Sequence, residues 1–224
     1  MSPANENPTH RVQVKICGLT RTGEAAACAE AGAHAIGLVF YERSPRYVRP
    51  EAAREIRRAI PDGIACVGVF VDASVDAVLN TAHTAGLSAV QLHGSESPEA
   101  AARLAAEGLL VIKALFAERV PGLDRAPDYA PVAVLVECGR GVLPGGNALV
   151  WDWGRAAEVG NEHPLVLAGG LTPDNVAAAI VAARPDAVDV SSGVELAPGR
   201  KEIDQVRAFI RAATAVPCRR RVFA

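Results

Sequence analysis

The chain has 224 residues, 50% of them hydrophobic and 21% charged, and its 23 Lys and Arg against 25 Asp and Glu leave a formal net charge of -2. The hydrophobic share excludes a disordered chain, which could not bury enough apolar surface to offset its ordering entropy. The near-neutral balance and the 4% aromatic content supply neither a basic footprint nor a base-stacking platform, so no nucleic acid is expected as a partner. The five cysteines (Cys17, Cys28, Cys66, Cys138 and Cys218) are odd in number and show no C-x-x-C spacing. That argues against a disulfide framework or a zinc ribbon, and reduced thiols suit a cytoplasmic protein. Met1 to His10 lacks a basic segment followed by an apolar run, so it does not read as a secretory signal. No apolar stretch reaches the ~18 residues of a membrane span.

Short apolar, β-branched runs alternate with Ala-rich stretches along the chain. Val12–Cys17 reads as a strand, followed by a helix over Thr22–Ala31 that Gly32 would close. The next pair is Ala35–Phe40 and Pro50–Ala59, then Ala65–Val71 and Val75–Ala85, with Gly86 after the helix. Ala89–His93 is followed by Ser97-Pro98, an N-cap with Pro at the first helical position, opening a helix over Pro98–Ala106. Gly108 follows that helix as a left-handed C-terminal residue would. Leu110–Leu115 and Val132–Glu137 are further strands, and after the latter a long Gly-rich loop reaches Trp151-Asp152-Trp153. Leu165–Ala168 precedes Thr172-Pro173-Asp174, which repeats the Ser-Pro device ahead of a helix over Pro173–Ala183. Ala187–Ser191 and a helix over Ile203–Ala213 complete the series.

Eight strand-then-helix units in about 200 residues argue for a parallel sheet closed into an α/β fold, a single (β/α)8 TIM barrel. One domain over 1–224 is expected, with its core at about 12–213 and flexible tails at 1–10 and 216–224.

In such a barrel the chemistry sits at the C-terminal ends of the strands. Those ends carry Cys17, His93, Gly169-Gly170 and Ser191-Ser192-Gly193. Side chains alternate along a strand, so either Gln13, Lys15 and Cys17 face inward or Val12, Val14 and Ile16 do. The first arrangement puts Lys15 one layer beneath Cys17, where a buried ammonium needs a carboxylate. The first and last strands become neighbours on closure, which makes Asp189 the natural partner. A cation beneath Cys17 would favour thiolate over thiol. Gln91 and His93 share a face in the same way. Leu167–Leu171 and Val190–Val194 read as a phosphate cradle of Gly169, Gly170, Ser191, Ser192 and Gly193, or as two ordinary glycine turns; in this fold the loops after strands seven and eight commonly hold phosphate. Gly139-Arg140-Gly141 with Gly145 misses the dinucleotide spacing. The five His residues are scattered, so no metal site is expected. Lys113 is either a Schiff-base lysine or a lysine at a solvated strand edge.

At these positions the sequence resembles the phosphoribosylanthranilate isomerase family of tryptophan biosynthesis. The matching stretches are Val14–Thr20, Gly37–Phe40 with Ser44-Pro45-Arg46, Val67–Phe70, Val90–Gly94, Asp152-Trp153, Leu167–Leu171 with Pro173–Asn175, and Asp189–Glu195 with Gly199–Lys201. The resemblance implies a cofactor-free Amadori rearrangement of an N-phosphoribosyl arylamine, with no metal. It implies Cys17 as the base that removes the sugar C2 proton and Asp152 as the acid that opens the furanose ring. Arg46 would clamp the anthranilate carboxylate, with Gln91, His93 and Asp189 lining the pocket. The implied partner is a small phosphosugar, with no membrane involved, and the chain is expected to be a monomer or homodimer. Another phosphosugar barrel, an epimerase or a lyase, and a non-catalytic phosphate-ligand binder are the competing readings.

Overall fold

The computed structural model of the chain describes residues 10–130, 132–140 and 149–223. Its centre is a closed barrel of eight parallel strands: β1 (Gln13–Cys17), β2 (Ala35–Val39), β3 (Ala65–Phe70), β4 (Ala89–Leu92), β5 (Leu110–Phe116), β6 (Ala133–Glu137), β7 (Leu165–Leu167) and β8 (Ala187–Val190). All eight expected strands are present, in sequential order around the barrel. The crossovers carry helices α1 (Thr22–Glu30), α2 (Pro50–Arg58), α3 (Val75–Ala85) and α4 (Pro98–Ala106), then the short α5 (Val159–Glu162), α6 (Val176–Ala183) and α7 (Ile203–Thr214). Two 3-10 turns, Leu123–Tyr129 and Trp153–Ala156, occupy the crossovers where the sequence showed no helical pattern.

The local signals act as their chemistry requires. Ser74 and Ser97 cap α3 and α4 by accepting from the Ala77 and Ala100 amides, each satisfying an amide the helix leaves open. Gly86 ends α3 in the left-handed conformation, at φ +70°. One boundary differs from the sequence expectation. α6 starts at Val176 rather than Pro173, because the Asn175 side chain accepts from the Thr172 amide and donates to the Gly170 carbonyl. That closes a separate turn ahead of the helix.

Two buried layers result. Val12, Val14 and Ile16 join the layer between barrel and helices, whereas Ala35, Ala65, Val67, Ala89, Ile112, Ala114, Leu135, Val166 and Ala187 fill the barrel interior. Gln13, Lys15 and Cys17 therefore take the inward face of β1.

The C-terminal segment is not the frayed tail that the sequence suggested. Pro217–Cys218 pairs antiparallel with His10–Arg11, and Val222 and Phe223 are buried in the interior cluster. Gln13 holds the segment there: its carboxamide oxygen accepts from the Val222 (2.6 Å) and Phe223 (2.8 Å) amides, and its nitrogen donates to the Phe223 carbonyl (2.7 Å). Arg220 adds contacts to the carbonyls of Gly160, Asn161 and His163. A bottom layer of alanines leaves space that this segment fills. At the other end, residues 1–9 of the expected N-terminal tail lie outside the described residues. No helix among the described residues is long and apolar enough to cross a membrane.

Candidate active site

The C-terminal rim of the barrel gathers most of the residues singled out in the sequence. Cys17 is the last residue of β1, buried, and opposite Gly37 of β2 in register. A Cβ on Gly37 would lie 2.7 Å from the Cys17 sulfur and 3.0 Å from its Cα, so the glycine is what makes room for the thiol. One layer below, Lys15 pairs with Asp189 because β1 and β8 close the barrel with these two residues in register. Their ion pair measures 2.8 Å, and the Lys15 side chain is fully enclosed.

Burial pushes the Cys17 thiol up, and Asp189 adds to this, while the Lys15 and Lys201 charges pull it down. Lys15 itself stays protonated: burial acts against its charge, but Asp189 and Cys17 together raise it above the ordinary lysine value.

A second buried cluster braces the same wall. After β8 the chain forms a ribbon, Glu195–Ala197 against Arg200–Lys201, whose register sets Glu195 beside Lys201. Glu195 receives Lys201 Nζ at 2.7 Å and both Nε (3.0 Å) and Nη2 (2.7 Å) of Arg46. The Arg46 stem reaches it by crossing directly over Gly18, where a side chain would collide with it. Burial pushes the Glu195 carboxyl up, but the Arg46 hydrogen bonds and the Lys201 charge outweigh this and hold it below the ordinary value. Lys201 also donates to the Ser191 carbonyl at 3.1 Å, tying the cluster to the loop after β8. Arg46 is thus anchored with two of its three guanidinium nitrogens committed.

Across the barrel, Gln91 and His93 share the inward face of β4 and its exit. Gln91 Nε2 lies 2.8 Å from His93 Nδ1, and His93 Nε2 lies 3.3 Å from Glu137 Oε1 at the end of β6. With the amide donating, Nδ1 is the acceptor and Nε2 carries the hydrogen toward Glu137. Phe116, the last residue of β5, packs edge-on against the His93 ring.

Between these walls lies a cavity lined in part by Asp189, Ser191, Ser192, Gly193, Gly169, Gly170, Glu137 and Gly139. It contains all five residues of the expected phosphate cradle. Gly169 and Gly170 both have positive φ (+85° and +68°), a conformation that glycine adopts freely. A Cβ on Gly193 would run into the Leu171 carbonyl, so the loops after β7 and β8 touch through bare backbone. The Ser191 hydroxyl is buried and has no hydrogen-bond partner among the described residues.

Asp152 is placed differently. It is exposed, and its carboxylate accepts from the Gly154 amide at 3.1 Å, capping the 3-10 turn that follows. It is flanked by two anchors: Trp151 Nε1 donates to the Ala168 carbonyl (3.0 Å) and Trp153 Nε1 to the Gly169 carbonyl (3.1 Å). The backbone is thereby pinned to the β7 rim, with Leu149 and Val150 lying against Gly170. Asp152 does not line the cavity that Asp189 and the cradle share. Residues 141–148 of the preceding loop, including Gly141 and Gly145, lie outside the described residues.

Lys113 meets neither of its sequence readings. It points away from the barrel interior and is enclosed, with Nζ 2.8 Å from Glu96 and 2.6 Å from the Gly94 carbonyl. Since Glu96 also accepts from the Gly94 amide (3.0 Å), the pair fixes the chain just after His93. Glu137, Glu195 and Lys201 carried no role in the sequence reading. Only the charge of Glu195 and Lys201 at both ends of a short Pro-Gly turn, Pro198-Gly199, could have suggested that they meet. Among the described residues no group of three or more His, Cys, Asp or Glu side chains is placed to hold a metal ion.

Comparison with known proteins shows the family of the chain. Residues 14–212 match the family model described as N-(5'phosphoribosyl)anthranilate (PRA) isomerase. The N-(5'-phosphoribosyl)anthranilate isomerase of Desulfatibacillum aliphaticivorans is 51% identical over 203 residues, covering 91% of this chain and 93% of that protein. The crystal structure of phosphoribosyl anthranilate isomerase from Thermotoga maritima superposes with a TM-score of 0.85 at 41% identity, over 92% of this chain and 100% of that one. A further structure of the enzyme, in complex with reduced 1-(o-carboxyphenylamino)-1-deoxyribulose 5-phosphate, is 40% identical with a TM-score of 0.81, over 92% and 100% of the two chains. This chain belongs to the N-(5'-phosphoribosyl)anthranilate isomerase family.

Proposed function

We propose that this isomerase works through Cys17 as base and Asp152 as acid, on a substrate held by its phosphate in the cradle of Gly169, Gly170, Ser191, Ser192 and Gly193. The overall reaction is that of the family: N-(5'-phosphoribosyl)anthranilate is converted to 1-(2-carboxyphenylamino)-1-deoxyribulose 5-phosphate, an aldose–ketose rearrangement in tryptophan biosynthesis. Proton transfers suffice for it. Asp152 gives a proton to the furanose ring oxygen as the anilino nitrogen pushes the C1–O bond open, leaving a protonated Schiff base at C1. That cation makes the C2 hydrogen acidic, and the Cys17 thiolate removes it to give an enolamine. Ketonisation then places a proton on C1, releases the C2 hydroxyl proton, and returns acid and base to their starting states. Positioned acid–base groups of this kind contribute about 10²–10⁴-fold each.

One observation carries the reading. Cys17 stands at a strand end with two lysine charges acting on it, and its strand neighbour across the barrel seam, β8, runs into the cradle. For Asp152 the support is the resemblance together with the two tryptophan anchors that set its backbone at the β7 rim. Reaching a sugar in the cradle requires its carboxylate to leave the Gly154 amide. His93, Gln91 and Asp189 line or support the sugar's surroundings. Arg46 is the clamp on the anthranilate carboxylate that the resemblance implies; its two hydrogen bonds to Glu195, which Lys201 also contacts, hold it in place and brace the Cys17 wall.

The test is turnover of freshly generated phosphoribosylanthranilate, followed by loss of anthranilate fluorescence. Cys17→Ala and Asp152→Asn should each lower kcat by orders of magnitude with the fold unchanged by circular dichroism. Near-native kcat in either variant removes that residue from the mechanism.

A further inference from the structure

We infer that Glu96 and Lys113 are positioning residues of the isomerase site proposed above, on which this inference rests: they grip the peptide groups on either side of His93 and thereby aim the His93–Glu137 pair at the substrate. Neither lines the cavity that the cradle borders; Glu137 does. His93 Nε2 lies 3.3 Å from the Glu137 carboxylate. The direction of the His93 ring therefore sets where that carboxylate stands.

Lys113 faces outward from β5, in register with Leu92 of β4, and its side chain is fully enclosed. Its Nζ donates to Glu96 Oε2 (2.8 Å), to the Gly94 carbonyl (2.6 Å) and, at 3.4 Å, to the Leu92 carbonyl. Those two carbonyls belong to the residues immediately before and after His93. The three donors of the ammonium thus have three acceptors. Glu96 closes the grip from the other side. Its carboxylate accepts from the Gly94 amide (3.0 Å) and from the Asp72 amide (2.9 Å) just beyond β3. Asp72 in turn accepts from the Ser95 amide at 2.6 Å, and the Tyr129 hydroxyl donates to the Glu96 carbonyl at 2.8 Å. Gly94 permits this approach: a Cβ there would lie 2.8 Å from the Asp72 amide nitrogen and would strike its carboxylate. The His93 amide itself donates to the Phe70 carbonyl of β3 at 2.8 Å.

The fold alone does not call for this pair. Burying two charges is costly, and apolar residues of similar volume often hold a structure as well. An apolar pair cannot fix the direction of the Leu92 and Gly94 carbonyls, whereas hydrogen bonds are directional and strengthen in a buried setting. These bonds converge on the chain around His93 and on the neighbouring strand exit. The ring is then held at both nitrogens, with Phe116 edge-on against it. Backbone grip and side-chain contacts together specify one orientation for the imidazole.

Steady-state kinetics on phosphoribosylanthranilate, paired with thermal melts, tests this in a cycle with His93→Asn. His93→Asn alone should lower kcat/KM. Lys113→Met combined with Glu96→Gln removes both charges, so Tm should stay near that of the wild type. Its kcat/KM should nevertheless fall about 10–100-fold, the cost of a misplaced group beside the reaction. On the His93→Asn background the same two substitutions should cause no further loss, because no imidazole remains to be aimed. Glu96→Asp keeps both charges but shortens the reach, and should lower kcat/KM in the same His93-dependent way; it carries the test if the charge-free variant does not fold. Wild-type kcat/KM in either folded variant, a loss that persists in full beside His93→Asn, or wild-type kcat/KM in His93→Asn itself overturns the inference. A wild-type protein that does not turn over the substrate would instead refute the isomerase reading.

Discussion

A buried thiol is a weak base unless its charge is compensated, and Cys17 is compensated from two sides. Lys15 lies beneath it and Lys201 beside it, yet burial still leaves the thiol above its ordinary value. A raised thiol has little thiolate at neutral pH, so the active fraction grows as pH rises toward its folded value. The expected kcat/KM therefore climbs with pH above neutrality until the thiol is ionised. The check is a pH profile of kcat/KM for the wild type against Cys17→Ser, in which the rise should vanish along with most of the rate; a flat wild-type profile between pH 7 and 9 would contradict the assignment. The Cys17–Lys15–Asp189 stack was one of two arrangements legible in the sequence: a two-residue period and barrel closure put the three together, but which face of β1 turns inward came from the structure. The Arg46–Glu195–Lys201 cluster was not, since it depends on a two-strand ribbon whose register no local pattern announces. Asp152 shows the same limit: its place on the chain is readable, but the direction of its carboxylate depends on a turn, and in the structure it faces the Gly154 amide.

At the level of elements, the β1–β8 register does two jobs at once. It closes the barrel and it pairs Lys15 with Asp189. Removing one partner of a buried pair strands the other charge and costs about 3–5 kcal/mol, whereas replacing both with apolar residues of similar size is often neutral. Lys15→Met alone should therefore lower stability in urea by about that amount. Lys15→Met with Asp189→Leu should recover most of the loss without recovering activity, because the cation below Cys17 is still missing. Full activity in the double variant would show that the pair serves the fold only. The β2 position facing Cys17 makes a companion case: Gly37→Ala should displace the thiol and depress kcat far more than Tm, and equal effects on both would argue against a site-specific role. The strands and the long helices were readable from periodicity, the Ser97-Pro98 start signal and trailing glycines. The fifth and sixth crossovers were not, because their 3-10 turns lack the apolar spacing of a helix.

For the whole molecule, the family match ends at residue 212, while the barrel's lower opening is closed by residues beyond it. Phe223 is 1% exposed, and its backbone is held by Gln13. A polar, arginine-rich terminus hides this in the sequence, since the two apolar residues that matter come after Arg219-Arg220-Arg221. Phe223→Ala should cost about 3–5 kcal/mol, a fall in Tm on the order of 10 °C for a domain of this size, with kcat nearly unchanged because the plug and the site lie at opposite ends. A Tm within about 1 °C of wild type would mean that the segment does not close the barrel in solution. The proposed catalysis depends on a thiol and a carboxyl group sharing one sugar across the opposite opening. Its most direct test is single-turnover reaction of substrate deuterated at the ribose C2 position. A primary isotope effect in the wild type, with the step lost in Cys17→Ala, is the predicted result; undiminished proton removal from C2 in the Cys17→Ala protein would contradict it.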